Sequence, residues 1–407
     1  MNNRSEIFSM GAIWFGVAIS VSEIEAGISI ASMSPLNSIW LPLILGHIIG
    51  GILLYFVALI GARMRLNAME TTRSTFGSYG SKFFAALNVM QLIAWVAVLN
   101  AQGAMALSGL NFPISFPLTC IILAALVAVW VYVGLERSAK ITSIVMIILT
   151  LLLVVLSINL LNFTATGVTP FAGALVKNSE VLGFWNIFEI SIAMPISWLP
   201  VISDYTKDAV KPVESSLVSA VSYTIASLWM YVIGIEIVGI GLNYSIAEAI
   251  LLAGLGIPGI IILVLSTVTT NFLATNSAGE SAKAIINNLN PKTVGVIVSV
   301  LSAMLAISGI MNHYINFLYL IASVFAPMAA VLLVSFYLDD ENENNVKKYY
   351  WNIFSWFAGF IIYQIASYMD SIFLGPTLLA IIISAFLAYL RVILRNKRSD
   401  DTIKSKQ

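Results

Sequence analysis

Ser266, Thr269 and Thr270 stand at i, i+3 and i+4 in the stretch LSTVTTNFLATNSAGES, a run dense in hydroxyls and amides. On a helix that spacing puts the three on one face. Hydroxyl and carbonyl oxygens are hard ligands, and a small hard cation such as Na⁺ suits them. The competing reading is that each hydroxyl bonds back onto its own helix, as Ser and Thr do in helix interiors. Asn271, Thr275 and Asn276 continue the run toward the cytoplasm. A second constellation lies in LNVMQLIAWVAVLNAQG, where Asn88, Gln91, Trp95 and Gln102 recur at helical spacing. An indole offers a flat face, and an amide one step along the helix offers a donor and an acceptor; together they can read a planar heterocycle. The same amides also serve as cross-helix bonds in membranes.

Such residues act only if something holds them. Of the 407 residues 59% are hydrophobic and 10% charged, against about 25% charged in a soluble domain. The chain reads as a polytopic membrane protein with no room for a soluble domain. A helix needs about 20 apolar residues to cross the bilayer, and twelve such spans are expected, at about 7–33, 38–62, 82–110, 116–134, 140–161, 184–204, 214–241, 257–280, 293–310, 313–338, 350–368 and 374–395. Turn and charge chemistry separates them at Ser34-Pro35-Leu36-Asn37, Asn111-Phe112-Pro113, Leu135-Glu136-Arg137, Asn290-Pro291 and Asp339-Asp340-Glu341. The first run lacks a basic leader and a cleavage site, so it reads as a span and not a signal peptide. With the N-terminus in the cytoplasm, all of the 20 Lys and Arg except Lys177 fall on the inner side, which places both termini in the cytoplasm and the protein in a plasma membrane. The single cysteine, Cys120, excludes a disulfide framework.

Charged groups at membrane depth are costly and face a cavity or a partner. Glu23 and Glu25 in span one, Glu189 in span six and Glu236 in span seven are such groups, with His47 in span two. Spans one and six are also the ones built to break. Ser20, Ser22, Glu23 and Gly27 interrupt the first; Pro195, Ser197, Trp198 and Pro200 interrupt the sixth. Each proline removes a backbone donor and clashes with the turn before it, at about 3 kcal/mol in a helix interior. Unwound backbone in lipid must line a cavity, where its carbonyls can bind a cation and its half-helix ends a solute. Irregular helices five spans apart point to inverted repeats. The expectation is a single transmembrane domain with a first repeat over about 7–161, a second over about 184–338 and extra helices over about 350–395. Trp198, re-aimed by the break, could cover the same solute as Trp95.

The pattern SWLPVISDYTK at 197–207, TTN at 269–271, the Gln and Trp of span three and FAPM at 325–328 resemble the nucleobase–cation symporter-1 family. WFGVAISVSEIEAG, FGSYGSKFFAALNVMQLIAW and IAMPISWLPVISDY are most similar to the CytX-type transporters assigned to hydroxymethylpyrimidine, a thiamine precursor. The resemblance covers nearly the whole chain. It implies an all-α, LeuT-like fold of five plus five inverted helices with two more, and Na⁺- or H⁺-driven symport by alternating access. It implies a cation held by the carbonyls near Ile19 and Ser22, the carbonyl of Ser266 and the hydroxyls of Thr269 and Thr270. It places Trp95 and Trp198 against the substrate with Gln91 beside them, and puts the span-eight substrate amide near Thr275, with Asn271 or Asn276 as substitutes. Ser197 belongs to the same wall. Glu23 gives a chemical reason for the subclass: a carboxylate accepts from the exocyclic amine of an aminopyrimidine while a protonated ring nitrogen donates to its other oxygen. Proton coupling and a structural pairing are the alternatives for Glu23.

The expected function is cation-coupled uptake of a pyrimidine, hydroxymethylpyrimidine foremost, with cytosine, another nucleobase or an allantoin-type solute as the alternative. No cofactor and no nucleic-acid partner are expected; the partners are the solute, a monovalent cation and the bilayer. An intramembrane enzyme would need a nucleophile–base pair or a metal cluster, and the only histidines, His47 and His313, lie in different halves. A channel is the remaining rival, set apart by flux without concentration.

Overall fold

The computed structural model describes residues 3–109, 113–133, 135–165, 181–240, 246, 256–339, 346–369 and 374–404. The described elements are helical, and they occupy every one of the expected spans. Span one is α1 (Asn3–Ala18) and α2 (Val21–Ser32); span two is α3 (Leu36–Met64). A short α4 (Ala68–Thr71) leads to α5 (Arg73–Gly109), α6 (Phe116–Val133) and α7 (Leu135–Ala165), which are spans three to five. Span six is α8 (Phe184–Ser197) with a single-turn α9 (Ser203–Thr206). Then follow α10 (Pro212–Ile240), α11 (Gly256–Ile285), α12 (Pro291–Ile307), a 3₁₀ turn at Ile310–His313, α13 (Tyr314–Tyr337), α14 (Val346–Ser367) and α15 (Pro376–Lys404). Among the described residues, six helices are individually long and apolar enough to cross a bilayer, and the bent α1–α2 pair makes a seventh. Lys177, on which the charge asymmetry turns, lies outside the described residues, as do Asn111, Phe112, Asp340 and Glu341.

Local chemistry explains the element ends. Asn290 caps α12, accepting from the Lys292 amide at 2.9 Å, with Pro291 in the first turn, where its missing N–H costs nothing. Gly77 takes φ +72° inside α5, so the helix is kinked there and starts earlier than the apolar run does. The Leu135-Glu136-Arg137 stretch, expected as a separator, is instead the first turn of α7. A charged first turn outside the lipid carries no penalty for staying helical.

Spans one, two, six and seven pack on one another: α1 and α2 on α10, α3 on α8 and α10. Spans three, four, eight and nine form a second group, with α5 against α11 and α12, and α12 against α6. The last two helices pack together and against α13. Where α2 crosses α10 the backbones nearly touch, because a side chain on Gly27 would collide with the Tyr231 carbonyl and one on Gly234 with that of Ile24. Outward faces are apolar; Ile44, Ile48, Ile52 and Phe56 form an exposed stripe one turn apart along α3, as a lipid-facing helix requires.

Candidate functional site

Both polar spans are interrupted. Helix α1 stops at Ala18 and α2 restarts at Val21, bent by 48°. Ser20 between them has extended dihedrals (φ −136°, ψ 154°), and its side chain faces the Glu23 amide at 3.4 Å. Helix α8 stops at Ser197, and residues 198–202 run as turns into α9. Pro195 sits in the last helical turn and Pro200 in the turns, so the ladder cannot resume across them.

The freed carbonyls find partners across the two helix groups. Ile19 O accepts from Ser266 Oγ of α11 at 2.7 Å. Ser22 O accepts from Tyr314 Oη of α13 at 3.0 Å, while the Ser22 hydroxyl donates to Gln102 of α5. In the second break, Gln91 Nε2 donates to Ser197 O at 3.1 Å and Asn88 Nδ2 to Pro200 O at 2.9 Å. Asn88 also donates to Ser281 Oγ at 2.8 Å.

Between the breaks lies a cavity of about 20 Å³. Its walls come from both: Val17, Ser20, Ser22 and Glu23 on one side, Met194, Ser197 and Trp198 on the other, closed by Leu92, Trp95 and Leu99 of α5 and by Thr270 and Ala274 of α11. That volume admits one water and little more, so the walls must part before a heterocycle enters. Two buried polar atoms on this wall have no hydrogen-bond partner among the described residues, Trp95 Nε1 and Thr270 Oγ1. Buried polar groups are nearly always paired, so unpaired ones on a cavity wall are free to meet a polar solute or ion. Glu23 is 2% exposed; its Oε1 accepts from Tyr223 Oη at 2.9 Å and its Oε2 from Ser227 Oγ at 2.8 Å.

The candidate cation ligands divide. Ile19, Ser266 and Thr269 are linked, since the Thr269 hydroxyl donates to Leu265 O at 2.8 Å and Ser266 O at 3.1 Å. Thr270 faces the cavity, and Ser22 O is held by Tyr314. The set is all uncharged oxygen, which fits a small monovalent cation. Among the described residues no three His, Cys, Asp or Glu gather into a metal site.

Three candidates lie off the cavity wall. Asn271 donates to Asn100 Oδ1 of α5 at 2.9 Å, the Thr275 hydroxyl donates back to Asn271 O at 2.6 Å, and Asn276 also stays off the cavity wall. One residue along a helix turns the side chain by about 100°, so Thr270 and Ala274 take the wall and Asn271 and Thr275 the helix contact. Gln91 and Asn88 act first as anchors of the second break. Asp204 is bonded within the fold: its Oδ1 accepts from the Ala68 amide at 2.8 Å, Lys207 donates to Asn67, and Asn67 Nδ2 donates to Glu280 at 2.9 Å. With Tyr205 Oη donating to Leu273 O at 2.9 Å, the second half of the 197–207 motif is a clasp joining α4, α9 and α11. Glu189 accepts from the Thr377 amide at 2.9 Å and from its hydroxyl, tying span six to α15. Glu25 and Glu236 are half-buried and do not line the cavity.

Tyr223 and Ser227 were missed, although Tyr223, Ser227 and Tyr231 recur at i, i+4 and i+8 on one face of span seven. Trp14 was missed as well. It is fully buried one turn before the first break and meets the Trp198 and Tyr205 rings edge-on, at 5.7 and 5.9 Å.

No curated protein matches the sequence. Solved structures do share the fold. The chain is similar to Mhp1, a nucleobase-cation-symport-1 family transporter captured in a closed conformation with bromovinylhydantoin bound, at 19% identity over 97% of this chain and 93% of that one, with a TM-score of 0.71. It is similar also to a Na⁺-coupled sialic acid symporter (14% identity, 95% and 90% covered, TM-score 0.67) and to a manganese transporter of Eremococcus coleocola (16%, 95% and 92%, TM-score 0.58). The fold is thus the all-α, LeuT-like one. Residues 2–375 match a family described as permeases for cytosine/purines, uracil, thiamine and allantoin. That match spans both breaks, the cavity between them and the 197–207 motif, and the chain belongs to this family of multi-pass membrane permeases, transporters and not enzymes.

Proposed function

We propose that the protein is a cation-coupled symporter that imports a pyrimidine, hydroxymethylpyrimidine foremost, by alternating access. The observation that carries this reading is the cavity between two broken spans, walled by Trp95 and Trp198 and holding the buried carboxylate of Glu23. The indoles supply planar surface for a ring, each such stack being worth about 1–3 kcal/mol. Glu23 supplies the acceptor for an amine-bearing edge. Ile19, Ser22, Ser266, Thr269 and Thr270 form the cation site, Na⁺ being the better fit to uncharged oxygens and H⁺ the alternative. Spans one and six and spans two and seven share one packing group, and spans three and eight and spans four and nine share the other, which supports repeats over about 7–161 and 184–338. The Lys and Arg asymmetry supports cytoplasmic termini in a plasma membrane.

Purified protein in proteoliposomes tests the reading. An imposed inward Na⁺ gradient is expected to drive accumulation of labelled hydroxymethylpyrimidine above its external concentration. No accumulation under either a Na⁺ or an H⁺ gradient refutes it. Accumulation of cytosine with exclusion of hydroxymethylpyrimidine would move the substrate to the second reading, a nucleobase.

A further inference from the structure

His47 lies outside the cavity, fully buried on α3, where a histidine in a packing helix has no evident use. Its ring is gripped by two serines from other helices. Ser191 Oγ of α8 stands 2.7 Å from Nδ1, and Ser227 Oγ of α10 stands 2.8 Å from Nε2. The Tyr231 ring meets it edge-on at 4.8 Å. Ser227 is the same residue that donates to Glu23 Oε2 at 2.8 Å.

A hydroxyl carries one hydrogen. Ser227 spends its hydrogen on Glu23, so the hydrogen shared between Ser227 and His47 comes from Nε2. At the other edge of the ring, Nδ1 stands 2.7 Å from Ser191 Oγ and 3.2 Å from Leu43 O. The Ser191 hydroxyl donates to Leu43 O at 2.6 Å, so the serine and that carbonyl together hold the Nδ1 edge. The donors therefore run in one direction from the ring, from His47 Nε2 through Ser227 to the carboxylate.

We infer that His47 is a positioning residue of the substrate site, acting through Ser227 on Glu23. The inference rests on the reading above that Glu23 touches the substrate. Tyr223 holds Oε1 and Ser227 holds Oε2 from α10, and each carboxylate oxygen keeps a further lone pair for the cavity. Two acceptors fixed in one plane favour a ligand edge that bears an amine and disfavour one that bears a carbonyl. The Nε2 hydrogen keeps the Ser227 hydroxyl turned toward Glu23. Without it the hydroxyl is a free rotor and the carboxylate plane is no longer fixed, so selectivity falls before binding does.

The test uses full-length protein and a matched pair of ligands, 4-amino-5-hydroxymethyl-2-methylpyrimidine and its 4-oxo counterpart, with Trp fluorescence as the readout. The wild type is expected to prefer the amino compound. In His47→Leu the ratio of the two affinities should fall about five- to tenfold, while His47→Gln, whose amide donates to Ser227, should keep it within about twofold. Ser227→Ala removes the same link from the other side and should lower the ratio as His47→Leu does, which keeps the test alive where His47→Leu fails to fold. A ratio unchanged in His47→Leu or in Ser227→Ala, with both affinities falling in step, overturns the positioning role. Glu23→Gln separates the layers. If Glu23→Gln keeps the wild-type ratio, the substrate contact fails and the positioning role with it. If Glu23→Gln loses the ratio while the His47 and Ser227 variants keep it, only the positioning role fails.

Discussion

The two interruptions at the centre of the molecule are held open by different chemistry. At the first, hydroxyls hold the carbonyls: Ser266 on Ile19 O at 2.7 Å and Tyr314 on Ser22 O at 3.0 Å. At the second, amides hold them: Gln91 on Ser197 O at 3.1 Å and Asn88 on Pro200 O at 2.9 Å. An amide nitrogen only donates, so a carbonyl it holds is pinned. A hydroxyl both donates and accepts, and on rotating it becomes a ligand itself. Under the proposed cation site the first break is the exchangeable one, a cation replacing a hydroxyl hydrogen as the partner of Ile19 O. The second is an anchor that fixes Trp198 beside the cavity. Under that proposal, two breaks with the same outline divide the labour of ion and frame.

The sharpest way to break that contrast is to remove the anchor. Asn88→Leu strands the buried Pro200 carbonyl and takes a partner from Ser281. The expected loss is about 2–4 kcal/mol of stability, since each buried polar group left unpaired costs about 1–3. Thermal unfolding in detergent measures it. A loss under about 0.5 kcal/mol would mean that the second break needs no anchor, and the contrast would collapse. Trp95→Ala is next. It removes a cavity wall without touching either break, so pyrimidine affinity should weaken by about 1–3 kcal/mol while the cation concentration needed for half-maximal uptake stays put. Titration of binding at saturating Na⁺ and of uptake against Na⁺ separates the two effects.

How far the sequence carried this is clearest residue by residue. The breaks were legible because prolines at 195 and 200 and the serines around Glu23 act on the backbone locally, and local effects do not wait for tertiary structure. The wall assignments on α11 were not. Neighbouring residues on a helix differ by about 100° in direction, and only packing against α5 decides that Thr270 faces the cavity and Asn271 faces Asn100. His47, Tyr223 and Ser227 could be seen as polar residues in apolar spans, but not as partners, because they are brought together from α3 and α10 by the fold alone. Trp14 gave no signal, since an indole in a membrane span reads as packing or as an interfacial anchor. The bond from the Ala68 amide to Asp204 was not legible either, because only the fold brings α4 against the end of span six.

The hydroxyl-held break yields the two smaller effects. Ser266→Ala frees Ile19 O of its donor, at about 1 kcal/mol of stability, and should raise the Na⁺ concentration for half-maximal uptake with little change in pyrimidine affinity. A Ser266→Ala protein whose Na⁺ dependence matches the wild type would place the cation elsewhere.

Thr270 gives the smallest change in stability and the most selective reading. Its Oγ1 is buried with no hydrogen-bond partner among the described residues, so replacing it with a methyl in Thr270→Val breaks nothing and should leave the unfolding temperature unchanged or slightly higher. If that hydroxyl is held in reserve for the cation, the half-saturating Na⁺ concentration should still rise, by about tenfold for each 1.4 kcal/mol of lost coordination. Thr269→Val is the internal comparison. The Thr269 hydroxyl is already spent on Leu265 O and Ser266 O, so recruiting it as a ligand means breaking bonds that Thr270 never made. Thr269→Val should therefore cost more stability and shift the Na⁺ dependence less than Thr270→Val. The reverse order, with Thr269 governing Na⁺ and Thr270 silent, would show that the helix-bonded hydroxyl is the one released to the ion and that the unpaired one belongs to the solute.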